Sequence, residues 1–213
     1  LLSLGLWTKE TATPPKDDTA NATPATFKPA TPWAMWLGPL TFVLYVSAEM
    51  GTGLWAASIL VEGRGLTLTA AGVWVSAYFG AITAGRFAIG LVANRLGNRR
   101  LVRYGAVLAL CGAALFAVPG LPSVLSLLGL VAMGLGCAPI FPSLMHETGK
   151  RFSPEVARTV IGRQVGVSYA GVSLVPAALG LLATWAGLGA IMPAVVLMLV
   201  LVLLCSEQLN RLT

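Results

Sequence analysis

The sequence predicts an all-α membrane protein, built as a bundle of six transmembrane helices. Three observations predict this fold class: the composition, the spacing of the apolar segments and the distribution of basic residues. Of the 213 residues, 56% are hydrophobic and only 10% are charged, and the mean hydropathy is +0.81. Soluble domains carry about 25% charged residues. The apolar segments are also long enough to cross a bilayer, which takes about 20 helical residues.

The net charge and the cysteines exclude several classes of protein. A formal net charge of +6 could indicate nucleic-acid binding. The basic residues alternate with the apolar segments, however, so the positive-inside bias of membrane proteins explains them.

The cysteines all fall inside apolar segments, where they are expected to pack as small core residues and not as disulfides or metal ligands. They are Cys111, Cys137 and Cys205. No cofactor and no metal site are predicted.

The first 32 residues divide into two segments. Residues 1–7, LLSLGLW, are too few to span a bilayer and lack the basic start of a signal peptide. We interpret them as the tail of a preceding transmembrane helix. Residues 8–32 are rich in Thr, Ala and Pro without periodicity, which predicts a flexible cytoplasmic linker. The glycosylation sequon at Asn21 is then a chance match.

The transmembrane domain is predicted over residues 33–207, followed by a cytoplasmic C-terminal tail over residues 208–213. The six spans are expected at about residues 33–61, 68–93, 101–118, 122–145, 156–185 and 188–205. Short connectors between them predict antiparallel neighbours. On the fifth span, Gly162 and Gly166 form a small-xxx-small pair, which predicts close packing within the bundle.

The basic residues predict the orientation. An even number of crossings separates the linker, the turn near Arg95, the loop at Lys150 and the C-terminus, so these four lie on one side. That side collects most of the Lys and Arg residues, whereas the opposite side has Arg64. Because Lys and Arg near span ends resist translocation, the linker side is predicted to be cytoplasmic, in the plasma or inner membrane.

The segment between the second and third spans is basic and spaced by glycines, reading GLVANRLGNRR over residues 90–100. Gly97 is expected to allow a tight turn, which the arginines hold among the headgroups. The pattern resembles the loop signature of the major facilitator superfamily, Gly-x-x-x-Asp-Arg-x-Gly followed by basic residues. The matching positions are Gly90, Arg95, Gly97, Arg99 and Arg100.

This resemblance implies that the chain is the C-terminal six-helix half of a major facilitator transporter, with the loop taking part in gating. Asn94 stands where the family usually has aspartate. In the family that aspartate helps to form a charge relay, which holds one face of the transporter shut. With Asn94 the latch would be a neutral hydrogen bond.

Glu49 is the principal candidate for binding a solute or a proton. It lies in the middle of the first span, where a carboxylate facing lipid costs at least about 2.5 kcal/mol. Tyr45, Glu49 and Thr52 share one helical stripe, which must face the bundle or a watery cavity. Since burial favours a neutral carboxyl, Glu49 could exchange a proton as a cavity opens and closes. The alternative is a structural carboxylate bonded to a neighbouring helix.

Residues 45–55, YVSAEMGTGLW, are similar to the first helix of the C-terminal half in the fucose–proton symporter branch of the superfamily. This resemblance implies proton-coupled transport of a sugar. Transporters of this family work by alternating access between two six-helix halves around a central site. The chain would therefore need an N-terminal half, in the same chain or a separate one, as its partner.

Other polar or helix-bending residues within the spans have two interpretations each. Arg86 is expected to serve gating or packing, with substrate contact as the alternative. Pro139 and Pro142 are expected to bend the fourth span, either passively or as part of gating. Gln164 and Ser168 share a stripe on the fifth span. They could bond to sugar hydroxyls, or they could join helices, as such residues do in membrane bundles.

Three classes of function follow. The first is secondary active transport of a small polar solute, a sugar, coupled to protons and with this chain as the C-terminal half. The second is a truncated, non-transporting half or a partner subunit of a membrane complex. The third is an intramembrane enzyme, but the sequence shows no Ser/His, Cys/His, paired-carboxylate or metal-ligand constellation. The protein is therefore not predicted to be an enzyme.

Overall fold

The structure is a bundle of helices that run up and down. The computed structural model describes residues 31–213, except the side chains of Val92 and Asn94. The segments predicted for residues 1–7 and, up to residue 30, for the linker lie outside the described residues. The helices are α1 (Pro32–Arg64), α2 (Leu68–Leu96), α3 (Asn98–Ala117), α4 (Ser123–Cys137), α5 (Ile140–Arg151), α6 (Pro154–Ala186) and α7 (Ile191–Leu212). A short 3-10 turn (Leu188–Ala190) precedes α7.

Within the described residues, six helical segments are long and apolar enough to cross a membrane. Two of the seven helices, α4 and α5, together form one of these segments. The all-α fold class with six membrane-spanning helices, predicted from composition and periodicity, is therefore confirmed.

The limits of α1 follow from capping residues. The side chain of Thr31 accepts a hydrogen bond from the N–H of Ala34 at 3.3 Å. Pro32 takes the first helical position, where a missing N–H costs nothing. The helix ends at Gly65, whose φ of 67° lets its N–H bond to the carbonyl of Val61 at 3.0 Å.

The turn between α2 and α3 is a single residue. Gly97 has φ 78° and ψ 144°, a conformation that residues with a side chain rarely adopt. The expected turn at Gly97 is present, but it is shorter than the connection of residues 94–100 that the predicted limits of the second and third spans leave. Residues 90–96 continue α2, because one glycine does not break a helix, and α3 begins directly at Asn98.

The fourth span is broken, and the sixth is longer than predicted. α4 ends at Cys137 and α5 begins at Ile140, because Pro139 has no N–H for the preceding turn. Pro142 lies in the first turn of α5, where it does not interrupt the helix. At the C-terminus, α7 continues to Leu212. Nearly all of the tail predicted over residues 208–213 is therefore helical.

The two ends of the bundle differ in charge. The Gly97 end contains the start of α1, the α2–α3 turn, the α5–α6 connection and the end of α7. The Arg64 end contains the other connections, and there Arg64 donates a hydrogen bond to the carbonyl of Phe116 at the end of α3. The basic residues near the Gly97 end are Arg95, Arg99, Arg100, Arg103, Lys150, Arg151, Arg158 and Arg211. Orientation in the membrane stays a prediction from this asymmetry.

The innermost elements are α1 and the α4–α5 span, whose most apolar stretches are 56% and 61% buried, against 17% for α6. α3 and α4 approach to backbone contact, since a Cβ added to Gly129 would lie 2.9 Å from the carbonyl oxygen of Gly112. The predicted packing of Gly162 and Gly166 within the bundle is wrong. A Cβ added to either would meet no neighbouring atom within 4 Å in the described part of the chain.

Candidate functional site

Glu49 is buried close to the midpoint of the 33-residue helix α1, and only 4% of its surface is exposed. The Nη2 atom of Arg86, on α2, lies 3.3 Å from Glu49 Oε1 and forms an ion pair with it. A carboxylate removed from water requires such a partner, because desolvation of a lone charge is costly. The two side chains therefore form one site between α1 and α2.

Two buried tyrosines enclose Glu49. The hydroxyl of Tyr45, one turn earlier on α1, donates a hydrogen bond to Glu49 Oε2. The same hydroxyl lies 3.2 Å from the carbonyl oxygen of Cys137, the last residue of α4. From α2, the hydroxyl of Tyr78 donates to the backbone carbonyl of Glu49 at 3.0 Å. Residues of three helices, α1, α2 and α4, thus meet around Glu49.

Arg86 is the part of the site that is exposed at the surface of the bundle. Its side chain is 45% exposed, whereas that of Glu49 is 5% exposed. The guanidinium lies 5.8 Å from the ring centre of Phe141 on α5, within reach of a cation–π interaction. Arg86 can therefore bond to Glu49 and still offer N–H donors to a molecule outside the bundle. Its contact with the carboxylate makes Arg86 part of this site. The sequence interpretation had assigned Arg86 to gating or packing and had not grouped it with Glu49.

Thr52 lies on the same stripe of α1, about one turn after Glu49. It is completely buried, and its hydroxyl has no hydrogen-bond partner among the described residues. A buried hydroxyl without a partner costs about 1–3 kcal/mol. The three residues predicted as one stripe, Tyr45, Glu49 and Thr52, thus lie together, and all three carry polar atoms in the interior of the bundle.

Gln164 and Ser168 lie apart from Glu49. Gln164, on α6, is buried beside Gly38, which is about three turns or roughly 16 Å along α1 from Glu49. Its Nε2 donates to the hydroxyl of Thr148 on α5 at 3.1 Å, so it joins two helices. The hydroxyl of Ser168 donates to a carbonyl of its own helix at 2.7 Å. Neither side chain hydrogen-bonds to Glu49 in the structure, and Gln164 lies at a different level of the bundle.

A second group of ion pairs lies at the Gly97 end. Arg99 Nε lies 3.0 Å from Glu147 Oε2, and Arg151 Nε lies 3.5 Å from the same oxygen. The Arg151 side chain is only 5% exposed, and it also donates a hydrogen bond to Asn210 Oδ1. These contacts join the start of α3 to the ends of α5 and α7. We call Arg99, Glu147, Arg151 and Asn210 the Glu147 cluster.

The other residues of the glycine-spaced motif take no part in the Glu147 cluster. Gly90 is an exposed helical residue, and a Cβ added there would meet no neighbouring atom within 4 Å in the described residues. Arg95 and Arg100 are exposed at the Gly97 end. The side chain of Asn94, on which the predicted latch depends, lies outside the described residues.

Sequence reasoning missed Tyr78, and it considered Glu147 only as a partner for Arg163 and not for Arg99 or Arg151. A signal existed for each. Tyr78 and Arg86 are two helical turns apart, so they share a stripe of α2, and Glu147 precedes Arg151 by four residues. Among the described residues, no three His, Cys, Asp or Glu side chains are grouped so that they could hold a metal ion.

Comparison with known proteins gives concordant results. The sequence model of the Major Facilitator Superfamily matches residues 4–208. An uncharacterized MFS-type transporter of Yersinia pestis is 26% identical over 179 residues, which cover 84% of this chain and 46% of that protein.

Solved structures show the same fold. A mutant of the peptide transporter POT in complex with alafosfalin has a TM-score of 0.76 at 17% identity, covering 83% of this chain and 38% of that one. The POT complex with sulfate has the same TM-score and identity, with 84% and 38% coverage. At this identity the likeness concerns the fold alone. The chain spans less than half the length of each of these relatives.

The sequence, the structure and the relatives agree. The chain has six helices long and apolar enough to span a membrane among its described residues, a basic motif that turns at Gly97, and a family match over almost its whole length. The chain belongs to the major facilitator superfamily.

Proposed function

We propose that this chain is the C-terminal half of a secondary active transporter, which moves a small polar solute by alternating access and couples the movement to protons. The observation that supports it best is the Glu49–Arg86 ion pair, with one partner buried at mid-helix and the other half exposed. Ionisable groups at this depth are costly in lipid and commonly serve proton or solute pathways. An N-terminal six-helix half would form the opposite wall of the pathway.

Proton coupling follows from the unequal exposure of the two partners. While Arg86 remains beside Glu49, its positive charge stabilises the ionised carboxylate. If a solute draws the guanidinium away, the carboxylate is left buried and unpaired, which favours proton uptake. Binding of the solute and binding of the proton then promote one another, as thermodynamic linkage requires.

We propose a sugar as the solute, on the similarity of residues 45–55 to the fucose–proton symporter branch. The hydroxyls of Tyr45 and Thr52 and the exposed N–H groups of Arg86 can bond to sugar hydroxyls. The Thr52 hydroxyl has no hydrogen-bond partner among the described residues, so it is free to bond to a solute once the helices around it separate. Gln164 and Ser168 would act at another level of the pathway, nearer the Gly97 end.

Gating is assigned to the Gly97 end and to the bend at Pro139. The Glu147 cluster ties α3, α5 and α7 together there, so opening this end would require its ion pairs to separate. The segment that holds Pro139 and Pro142 provides a bend between the site and the cluster. The excess of basic residues supports an inner-membrane location with the Gly97 end in the cytoplasm.

The test is uptake of a panel of sugars by the complete transporter in proteoliposomes, with and without a proton gradient. Glu49→Gln keeps the shape of the side chain but removes its exchangeable proton, so gradient-driven accumulation should be abolished. Glu62→Gln is the matched control, because Glu62 is an exposed carboxylate on the same helix. Unchanged pH-dependent uptake by Glu49→Gln would remove Glu49 from the mechanism.

The second candidate is a non-transporting half or a partner subunit of a membrane complex. The chain spans 46% of one transporter and 38% of another, so the activity of a whole transporter is itself a proposal for this chain. Folded protein that takes up no sugar of the panel, with or without a gradient, would support this candidate over transport of a sugar.

A further inference from the structure

The Tyr45 hydroxyl lies between two acceptors and has one proton to donate. It bonds to Glu49 Oε2 on its own helix, and it lies 3.2 Å from the carbonyl oxygen of Cys137. A phenol O–H can donate to one acceptor fully and can accept through its lone pairs. Which acceptor receives this proton therefore depends on whether the other partner can act as a donor.

The charge of Glu49 decides between the two arrangements. An ionised carboxylate only accepts, so it draws the Tyr45 proton to itself and leaves the Cys137 carbonyl without it. When Glu49 takes a proton from the aqueous pathway, its new O–H group can donate to the Tyr45 oxygen. The Tyr45 proton then turns to the Cys137 carbonyl. No covalent bond other than the new O–H of Glu49 is made, and no other proton leaves the site.

We propose that Tyr45 is a positioning residue that transmits the charge state of Glu49 to the α4–α5 break, the residues Ala138 and Pro139 between the two helices. The proposal deepens the proposed function, because it rests on Glu49 exchanging a proton during the transport cycle. Protonation of Glu49 adds a hydrogen bond from α1 to the last carbonyl of α4, and loss of the proton withdraws it.

The α4–α5 break is a place where one hydrogen bond matters. Pro139 and Pro142 have no N–H, so the carbonyls of Leu135 and Ala138 lose the donors that a continuous helix would supply. The local backbone is therefore held by fewer bonds than in the rest of the span. A bond from Tyr45 to Cys137 has a larger relative effect there than it would have inside an intact helix.

The other groups around the carboxyl leave this assignment intact. Arg86, on α2, already donates a hydrogen bond to Glu49 Oε1 at 3.3 Å, and that oxygen can accept this bond whether or not Oε2 carries a proton. The Tyr78 hydroxyl, also from α2, bonds to the backbone carbonyl of Glu49 and not to its carboxyl group. From α4 comes Cys137 itself, buried as a free thiol, and α5 contributes the uncharged ring of Phe141, which lies beside Arg86.

Hydrogen exchange tests the proposal in the complete transporter in lipid nanodiscs. The peptide to follow covers residues 137–145. Its measured amide exchange rates are corrected for the dependence of the intrinsic chemical exchange rate on pH. In the wild type, acid pH should slow exchange at the break by about two- to tenfold, the effect of one hydrogen bond. Tyr45→Phe should abolish this pH dependence. Tyr78→Phe, which removes an equally buried hydroxyl from the same neighbourhood, should retain it.

Glu49→Gln provides a second variant, should Tyr45→Phe fail to fold. Its amide N–H can donate to Tyr45 at every pH, so the break should stay in the slow-exchanging state throughout. Wild-type pH dependence in Tyr45→Phe or in Glu49→Gln would overturn the link, and so would its equal loss in Tyr78→Phe.

Uptake measured on the same variants separates this proposal from the function on which it rests. If Glu49→Gln abolishes gradient-driven uptake while Tyr45→Phe keeps the pH-dependent exchange, the transport proposal stands and the Tyr45 link is wrong. If both variants lose the pH-dependent exchange but Glu49→Gln transports normally, the link stands and the assigned coupling role of Glu49 is wrong.

Discussion

Replacing Gly97 with alanine tests the one-residue turn between α2 and α3. Gly97 has φ 78° and ψ 144°, and a Cβ added to it would meet no neighbouring atom within 4 Å in the described residues. The penalty therefore comes from the backbone conformation alone and not from a clash. Residues with a side chain pay about 1–3 kcal/mol to hold such a conformation. Gly97→Ala should lower the free energy of unfolding by this amount.

Gly149→Ala is the matched control. Gly149 lies inside α5, near the Gly97 end, and a Cβ added to it would also meet no neighbouring atom within 4 Å in the described residues. In a helix, alanine is favoured over glycine by up to about 1 kcal/mol. The same chemical change should therefore stabilise the protein at residue 149 and destabilise it at residue 97.

The assay is reversible unfolding of the purified protein in mixed micelles, followed by far-ultraviolet circular dichroism. Gly97→Ala at or above wild-type stability would refute the turn geometry. The gating role needs a separate measurement in the complete transporter. There, a bulky residue at Gly97 should slow alternation more than it weakens solute binding, and a loss of affinity alone would contradict that role.

Two further predictions concern the Gly97 end and the α3–α4 contact. Glu147→Gln should destabilise the protein by about 3 kcal/mol, because it leaves the buried Arg151 guanidinium without its carboxylate. Glu207→Gln, which breaks a more exposed ion pair, should change the same unfolding measurement much less. Gly129→Ala should cost about 1–3 kcal/mol, since its Cβ would lie 2.9 Å from the Gly112 carbonyl oxygen. Wild-type thermal stability of that variant would show that α3 and α4 can separate freely.

The carboxylate site could be predicted only within one helix. Tyr45, Glu49 and Thr52 were grouped because helical periodicity relates residues on the same element. Arg86 was not joined to them, because its contact with Glu49 depends on how α1 and α2 are rotated against each other. Periodicity says nothing about that rotation. Gln164 shows the same limit, since a polar stripe on α6 gave no sign that it packs beside Gly38, which lies roughly 16 Å along α1 from Glu49.

Local backbone chemistry was predicted more successfully than helix faces. The need for a turn at Gly97 followed from a glycine beside a run of arginines, although the extent of the turn was overestimated. The prediction that Gly162 and Gly166 pack within the bundle was wrong for a different reason. Small-residue spacing marks a surface suited to close approach, but it does not tell which surface meets a neighbour. The glycines that do meet at the backbone lie on α3 and α4, where Gly112 faces Gly129 and Gly105 faces Gly136.

The position of α5 connects the two charged sites of the molecule. Its first turn follows the α4–α5 break, where the Tyr45 hydroxyl reaches Cys137, and its last turn carries the Glu147 cluster. A helix of 12 residues spans about 18 Å and behaves as a rod over that length. A change in angle at the break would therefore displace Glu147 relative to Arg99 on α3. If Glu49 exchanges a proton and Tyr45 transmits its charge state as proposed, α5 gives that change a direct mechanical route to the ion pairs at the Gly97 end.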